Sequence, residues 1–219
     1  MKNNRKTFSP ALRWHSLTRL FDFFMAATMP ELALREALIS QASLASGAAV
    51  LDFGCGTGTL DILLKRQFPN LRLTGVDVDE KVIAIALEKS RKSGVAIELL
   101  TYDGERLPFP GNSFDRVLSS LVFHHIPTAG KRVALKEIRR VLRPDGELHI
   151  MDFCKPQTTW DKLTFAFFRR FDGVENTQVN ADGLLPAFVS DAGFGQVEES
   201  AFFTTIFGSV SLIAAKYIR

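Results

Sequence analysis

Cysteine and tyrosine are nearly absent from this 219-residue chain, with two of each. Cys55 and Cys154 stand far apart, and neither has a second Cys or His at zinc-ligand spacing. The cysteine pattern therefore argues against a structural metal and against a disulfide framework, and no metal is expected. No apolar run approaches the roughly 18 residues that a membrane span needs. The opening M-K-N-N-R-K is charged but is not followed by an apolar stretch with a small-residue cleavage site, so the chain reads as cytoplasmic. The net charge is only +3 and the basic residues are scattered, which gives no footprint for nucleic acid. Internal repeats and low-complexity segments are also missing. What is abundant is phenylalanine: 19 residues, several of them in segments flanking the expected strands, as core and lid packing or an apolar pocket would require.

The length and a hydrophobic content of 46% suit one domain with appended segments. Helical spacing of Leu12, Leu17, Leu20, Phe21, Phe24 and Met25 predicts a helix from Pro10 to about Met29, and Pro30 opens a second over Glu31 to Ala42. Strands are expected at 50–53, 71–76, 95–100, 114–120 and 147–153, with helices at 59–68, 79–93 and 131–142 and a turn at 143–146. Such alternation means a parallel sheet covered on both faces. Beyond it, Trp160 to Phe171 reads as an amphipathic helix, 172–180 as a polar loop, and 181–191 as a helix. Two closing strands, 196–203 and 206–217, are joined so tightly that they must pair antiparallel.

Val50 to Gly58, V-L-D-F-G-C-G-T-G, is a strand running into glycines at alternate positions. Glycine can turn sharply at φ > 0 and brings bare backbone, with open N–H groups, to a ligand at a helix start. A dinucleotide turn wants G-x-G-x-x-G, and Thr59 occupies the place of its third glycine. Asp77, at the end of the next strand, is placed to accept from both hydroxyls of a ribose. Asp103, after the third strand, is placed to accept from an adenine amine. All lie at the C-terminal ends of successive strands, where open α/β sheets bind ligands.

Together with T-G-V-D-V-D, Y-D-G-E-R-L-P-F-P-G-N-S-F-D-R-V-L-S-S-L-V-F-H-H-I and R-R-V-L-R-P-D-G-E-L-H-I-M-D-F, this stretch resembles the class I S-adenosylmethionine-dependent methyltransferases, in particular the ubiquinone/menaquinone-biosynthesis branch, over roughly residues 48 to 219. The resemblance implies an α/β fold: a three-layer, Rossmann-like, seven-stranded and mostly parallel sheet with an antiparallel last strand, N-terminal helices, and a helical lid after the fifth strand. It divides one methyltransferase domain into an N-terminal helical cap (1–45), a cofactor-binding core (46–153), a lid insertion (154–180) and a closing helix with its strand pair (181–219). S-adenosylmethionine is the implied cofactor. Asp52, Gly54, Cys55 and Gly56 would shape the pocket for its methionine end, Asp77 and Val78 would meet ribose and adenine, Asp103 and Gly104 the adenine amine, and Ser119 and Leu121 the methionine moiety.

His124 and His125 follow the fourth strand and are the candidate bases for an acceptor that loses a proton. Trp14, Phe21, Asp152, Trp160 and Phe168 are the candidate acceptor-lining residues. A small hydrophobic or aromatic acceptor is the expected partner; the basic end of the lid helix, Arg169 and Arg170, also suits peripheral contact with an anionic membrane surface. Two rival readings are a nucleotide-dependent oxidoreductase, weakened by Thr59, and a methyltransferase-like protein that binds cofactor without catalysis.

Overall fold

A computed structural model describes residues 31–218; the helix expected over residues 10–29 lies outside the described residues. Helix α1 (Glu31–Ala42) leads into β1 (Ala49–Phe53), and α2 (Thr59–Gln67), β2 (Arg72–Asp77), α3 (Glu80–Ser93) and β3 (Glu98–Thr101) follow in alternation. Then come β4 (Phe114–Ser120), a single 3₁₀ turn at Phe123–His125, α4 (Thr128–Val141) and β5 (Leu142–Phe153). The chain continues through α5 (Thr159–Asp172), α6 (Val174–Ala181), α7 (Leu185–Asp191), β6 (Gly195–Thr205) and β7 (Gly208–Lys216).

The seven strands form one sheet in the order β3-β2-β1-β4-β5-β7-β6. The first five run parallel, and β7 enters antiparallel between β5 and β6. Strand order reverses between β1 and β4, which opens the crevice where such sheets hold ligands. Each sheet face has its own core. Leu51, Phe53, Val117, Leu148 and Ile150 pack with α4, α6 and α7, while Val50, Leu118, Met151 and Leu212 pack with α1, α2 and Phe165 of α5. Successive residues of a strand face opposite sides. Asp52 therefore shares the α1/α2 face with Val50, where a carboxyl is least expected.

Helix ends follow local chemistry. Asp79 caps α3 by accepting from Lys81 N at 2.9 Å, and Gly94 closes it at φ 68°. Thr158 and Asp161 form a reciprocal capping box at the start of α5. The segment 172–180, expected as a polar loop, is instead mostly helix α6, and the single helix expected over 181–191 is replaced by α6 and α7 with Gly183 at φ 71° between them. The polar residues that suggested a loop point inward: Thr177 and Asn180 are fully buried, and Asn180 Nδ2 donates to Phe153 O at 2.9 Å. The expected turn at 143–146 lies within β5 as an irregularity, the β4 register jumping from Phe114↔Leu142 to Arg116↔Glu147. Among the described residues, no helix is long and apolar enough to cross a membrane.

Candidate active site

The C-terminal ends of β1, β2, β4 and β5 converge on the glycine turn. Gly54, Gly56 and Gly58 have φ of 75°, 54° and 73°, conformations that a side chain disfavours. The expected row of open N–H groups is not what the turn offers. Gly54 N and Cys55 N donate to Val76 O at 2.8 and 2.9 Å, Gly56 N donates to Asp77 Oδ2 at 3.0 Å, and Gly58 N donates to Cys55 O at 3.0 Å. With these donors spent internally and Asp52, Asp61 and Asp77 gathered around Cys55, the turn is a poor cradle for a pyrophosphate. It suits a ligand that brings positive charge.

Asp77 Oδ1 also accepts from Asp79 N at 3.1 Å, so the carboxylate is fixed between the glycine turn and the start of α3. Burial raises its pKa against the lowering effect of those backbone N–H groups. Asp52 is buried, and burial raises its pKa, opposed by Arg35 and reinforced by Asp77. Cys55 is buried as well, and its thiol is pushed far up by burial and then by the surrounding carboxyls, which makes it inert. A Cβ on Gly56 would meet nothing within 4 Å, whereas one on Gly54 would strike Val122 at 2.5 Å. Open space therefore lies at the second glycine, and the first is needed for packing. Asp103, which is exposed, accepts at Oδ1 from Glu105 N and Arg106 N at 2.8 and 2.9 Å, which lowers its pKa. Val78 and Gly104 adjoin, a Cβ on Gly104 coming 3.5 Å from Val78 Cγ1. Ser119 is wholly buried, and its Oγ has no hydrogen-bond partner among the described residues.

At the tip of β5, Asp152 is not an open acceptor for a substrate. Its Oδ2 accepts from Val122 N and Phe123 N at 3.0 and 2.7 Å, and its Oδ1 from His124 Nδ1, Phe153 N and Asn180 Nδ2 at 2.8, 2.7 and 3.1 Å. Those bonds use up the capacity of a carboxylate, so Asp152 braces the loop after β4 rather than reaching a ligand. Leu121, at φ 59°, is the strained residue that this brace holds. Since Asp152 accepts only, Nδ1 of His124 carries the hydrogen and Nε2 is the basic nitrogen. The ring of His124 meets the edge of Phe153 at 4.9 Å. The ring of His125 lies against it, tilted by 45° with centroids 3.9 Å apart, and burial, His124 and Lys131 push the His125 pKa well down.

The lid helix divides the acceptor candidates. Phe168 lies 4.4 Å from Phe207 and 6.4 Å from Phe153, and Phe165 lies 5.3 Å from Phe153, building an aromatic wall beside His124. Trp160, with Leu163 and Phe167, is on the opposite, exposed face of α5 and is 66% exposed, so the structure does not bring it to that wall. Trp14 and Phe21 lie outside the described residues. Sequence reasoning passed over Asp61, Arg35, Asn180 and Lys131. The last is fully buried, donating from Nζ to Ile126 O and Asn176 O at 2.6 and 2.7 Å. Among the described residues there is no group of three or more His, Cys, Asp or Glu disposed to hold a metal.

Fold, glycine turn and acidic pocket define a class I S-adenosylmethionine-dependent methyltransferase, the family to which this chain belongs. A family model described as a methyltransferase domain matches residues 50–146. The chain is 30% identical over 171 residues to the ubiquinone/menaquinone biosynthesis C-methyltransferase of Burkholderia orbicola, covering 76% of this chain and 68% of that one. It is 32% identical over 146 residues to the demethylmenaquinone methyltransferase of Thermus thermophilus, covering 67% and 63% respectively. Among solved structures, an S-adenosylmethionine-dependent methyltransferase from Aquifex aeolicus superposes with a TM-score of 0.67 at 21% identity, over 90% of this chain and 98% of that one. The protein is an S-adenosylmethionine-dependent enzyme, and the oxidoreductase reading falls.

Proposed function

We propose that the enzyme methylates a ring carbon of a small, hydrophobic, quinone-like acceptor. The observation that carries this reading is the aromatic wall of Phe153, Phe165, Phe168 and Phe207, set at the edge of the Asp152-oriented His124. The names of the two relatives, both quinone-biosynthesis methyltransferases, support the acceptor class. The cofactor supplies an already activated methyl group, so the protein's work is alignment, exclusion of water and removal of one proton. Asp77 would hold the ribose, Asp103 the adenine amine, and Asp52 the amino-acid end. The lid, residues 154–180, encloses the acceptor against the aromatic wall.

The ionised hydroxyl of a quinol makes its ring carbon nucleophilic, and once the methyl has added, that carbon gives up its proton to restore aromaticity. His124 takes it at Nε2, while Asp152 fixes the tautomer and stabilises the imidazolium. His125, whose desolvated ring is a poor proton acceptor, serves as packing against His124. The test is turnover of methyl-labelled cofactor with a panel of demethylated quinols, phenols, amines and thiols. Label is expected on ring carbon of the hydrophobic members, and His124→Gln is expected to lower kcat by about 10²–10⁴ without changing cofactor affinity. Label confined to polar amines or thiols would overturn the acceptor class, and a wild-type rate in the variant would remove the base.

A further inference from the structure

Asn180, one residue before the end of α6, is fully buried. Its Nδ2 donates to Asp152 Oδ1 at 3.1 Å and to Phe153 O at 2.9 Å, both on β5. A carboxylate and a carbonyl only accept, so the amide cannot be turned over. Its Oδ1 is left buried and without a hydrogen-bond partner among the described residues. A leucine of similar size would avoid the cost of that unmet acceptor. The amide is therefore explained by what Nδ2 reaches.

Asp152 Oδ1 also accepts from His124 Nδ1, at 2.8 Å. Amide and imidazole thus meet on one carboxylate oxygen. The other donors to Asp152, from Val122 N, Phe123 N and Phe153 N, are backbone groups that hold the carboxylate in place without Asn180. What the amide adds is electrostatic. It turns the positive end of its dipole toward the pair and takes up part of the charge on Oδ1. A carboxylate that shares its charge in this way holds an imidazolium less tightly.

We propose that Asn180 is a positioning residue that acts through Asp152: by donating to Oδ1 it weakens the hold of that carboxylate on protonated His124, and so keeps Nε2 unprotonated and able to accept a proton. The proposal rests on the reading of His124 as the base, and it gives the last helix of the lid a part in that chemistry. Among the described residues, the other charged or titratable groups facing the pair are Lys131 of α4, His125 of the 3₁₀ turn and Cys154 just after β5. A substitution at Asn180 leaves all three in place, so their influence cancels between variant and wild type.

The test is nitrogen NMR of the labelled full chain, without cofactor or acceptor, titrated across the histidine range, with His124 assigned by the signals lost in His124→Gln. In Asn180→Leu the His124 midpoint is expected to rise by about half to one pH unit, roughly three- to tenfold in proton affinity. The Nδ1–H tautomer should be kept, because Asp152 still accepts from that nitrogen. Coupling of this kind is reciprocal, so in the wild type the Nδ2–H signals of Asn180 should move with the same midpoint as His124. An unmoved midpoint in Asn180→Leu, which service to Phe153 O alone would give, overturns the proposal. So do wild-type amide signals that ignore the titration of His124; that measurement needs no variant, so a poorly folding Asn180→Leu does not rescue the idea. A wild-type rate in His124→Gln would instead bring down the base itself, and the catalytic use of Asn180 with it, even where the midpoint moves.

Discussion

Gly54 and Gly56 are two residues apart and both have positive φ, yet they meet different constraints. A side chain at Gly54 would sit 2.5 Å from Val122, so Gly54→Ala combines a left-handed backbone with a core clash and should cost about 2–5 kcal/mol of stability. Gly56 looks onto open space. Gly56→Ala should cost only about 1–2 kcal/mol but weaken cofactor binding by tenfold or more, about 1.4 kcal/mol, because the methyl takes ligand volume. Urea denaturation and calorimetry on the two variants separate these effects. Asp77 could be found from sequence because a carboxylate after the second strand has a fixed spacing from the glycines. Asp61 could not. An acidic residue in the first turn of a helix is what the helix dipole favours at any surface, and nothing in one dimension says that this one is buried. Asp152 was visible as a strand-end acid, but the five donors that occupy it come from three separate stretches of chain.

The helices beyond β5 are less legible in the sequence than the strands before it. The β–α alternation is written in hydrophobic periodicity, and β1, β2 and β4 fall within a residue or so of expectation. Helix α6 carries V-E-N-T-Q-V-N-A, whose buried polar residues erase that signal. One of the bonds that fixes α6 comes from Lys131 in the first turn of α4, whose ammonium joins Ile126 O of the β4–α4 loop to Asn176 O. Burial lowers the Lys131 pKa to about 8, opposed by Asp152. Between that value and the ordinary lysine range the unfolded chain binds a proton that the native state does not, so this group's contribution makes stability rise with pH. The penalty for burying the charge is fully present below pH 8 and is relieved above it, while the neutral amine still donates to both carbonyls. Wild type should therefore gain on the order of 1–3 kcal/mol relative to Lys131→Met between about pH 8 and pH 10. Urea midpoints measured across that range check it; a constant difference would show that Lys131 is not desolvated in solution.

At the scale of the molecule, the sheet has one edge at β3 and the other at β6, with β7 inside. Ile213 of β7 is 2% exposed and packs with Leu148 and Ile150, whereas Phe202 of β6 is 51% exposed. Ile213→Ala should cost about 2–5 kcal/mol, and Phe202→Ser less than about 0.5; thermal or urea unfolding distinguishes them. The long β6 edge is interrupted at Gln196 and Ala201, both at φ 49° and each within a register shift, which twists the strand away from simple edge pairing.

The interior place of β7 also dictates an order of events during folding. The hairpin of β6 and β7 must dock its inner strand on β5, pairing Ser211 with Asp152 at the tip that braces the loop after β4. Both the β1–β4 and the β5–β7 pairings join strands roughly 60 residues apart, long-range contacts that form slowly, and the corner that holds Asp152 needs both. Refolding should therefore restore the bulk of secondary structure before cofactor binding returns.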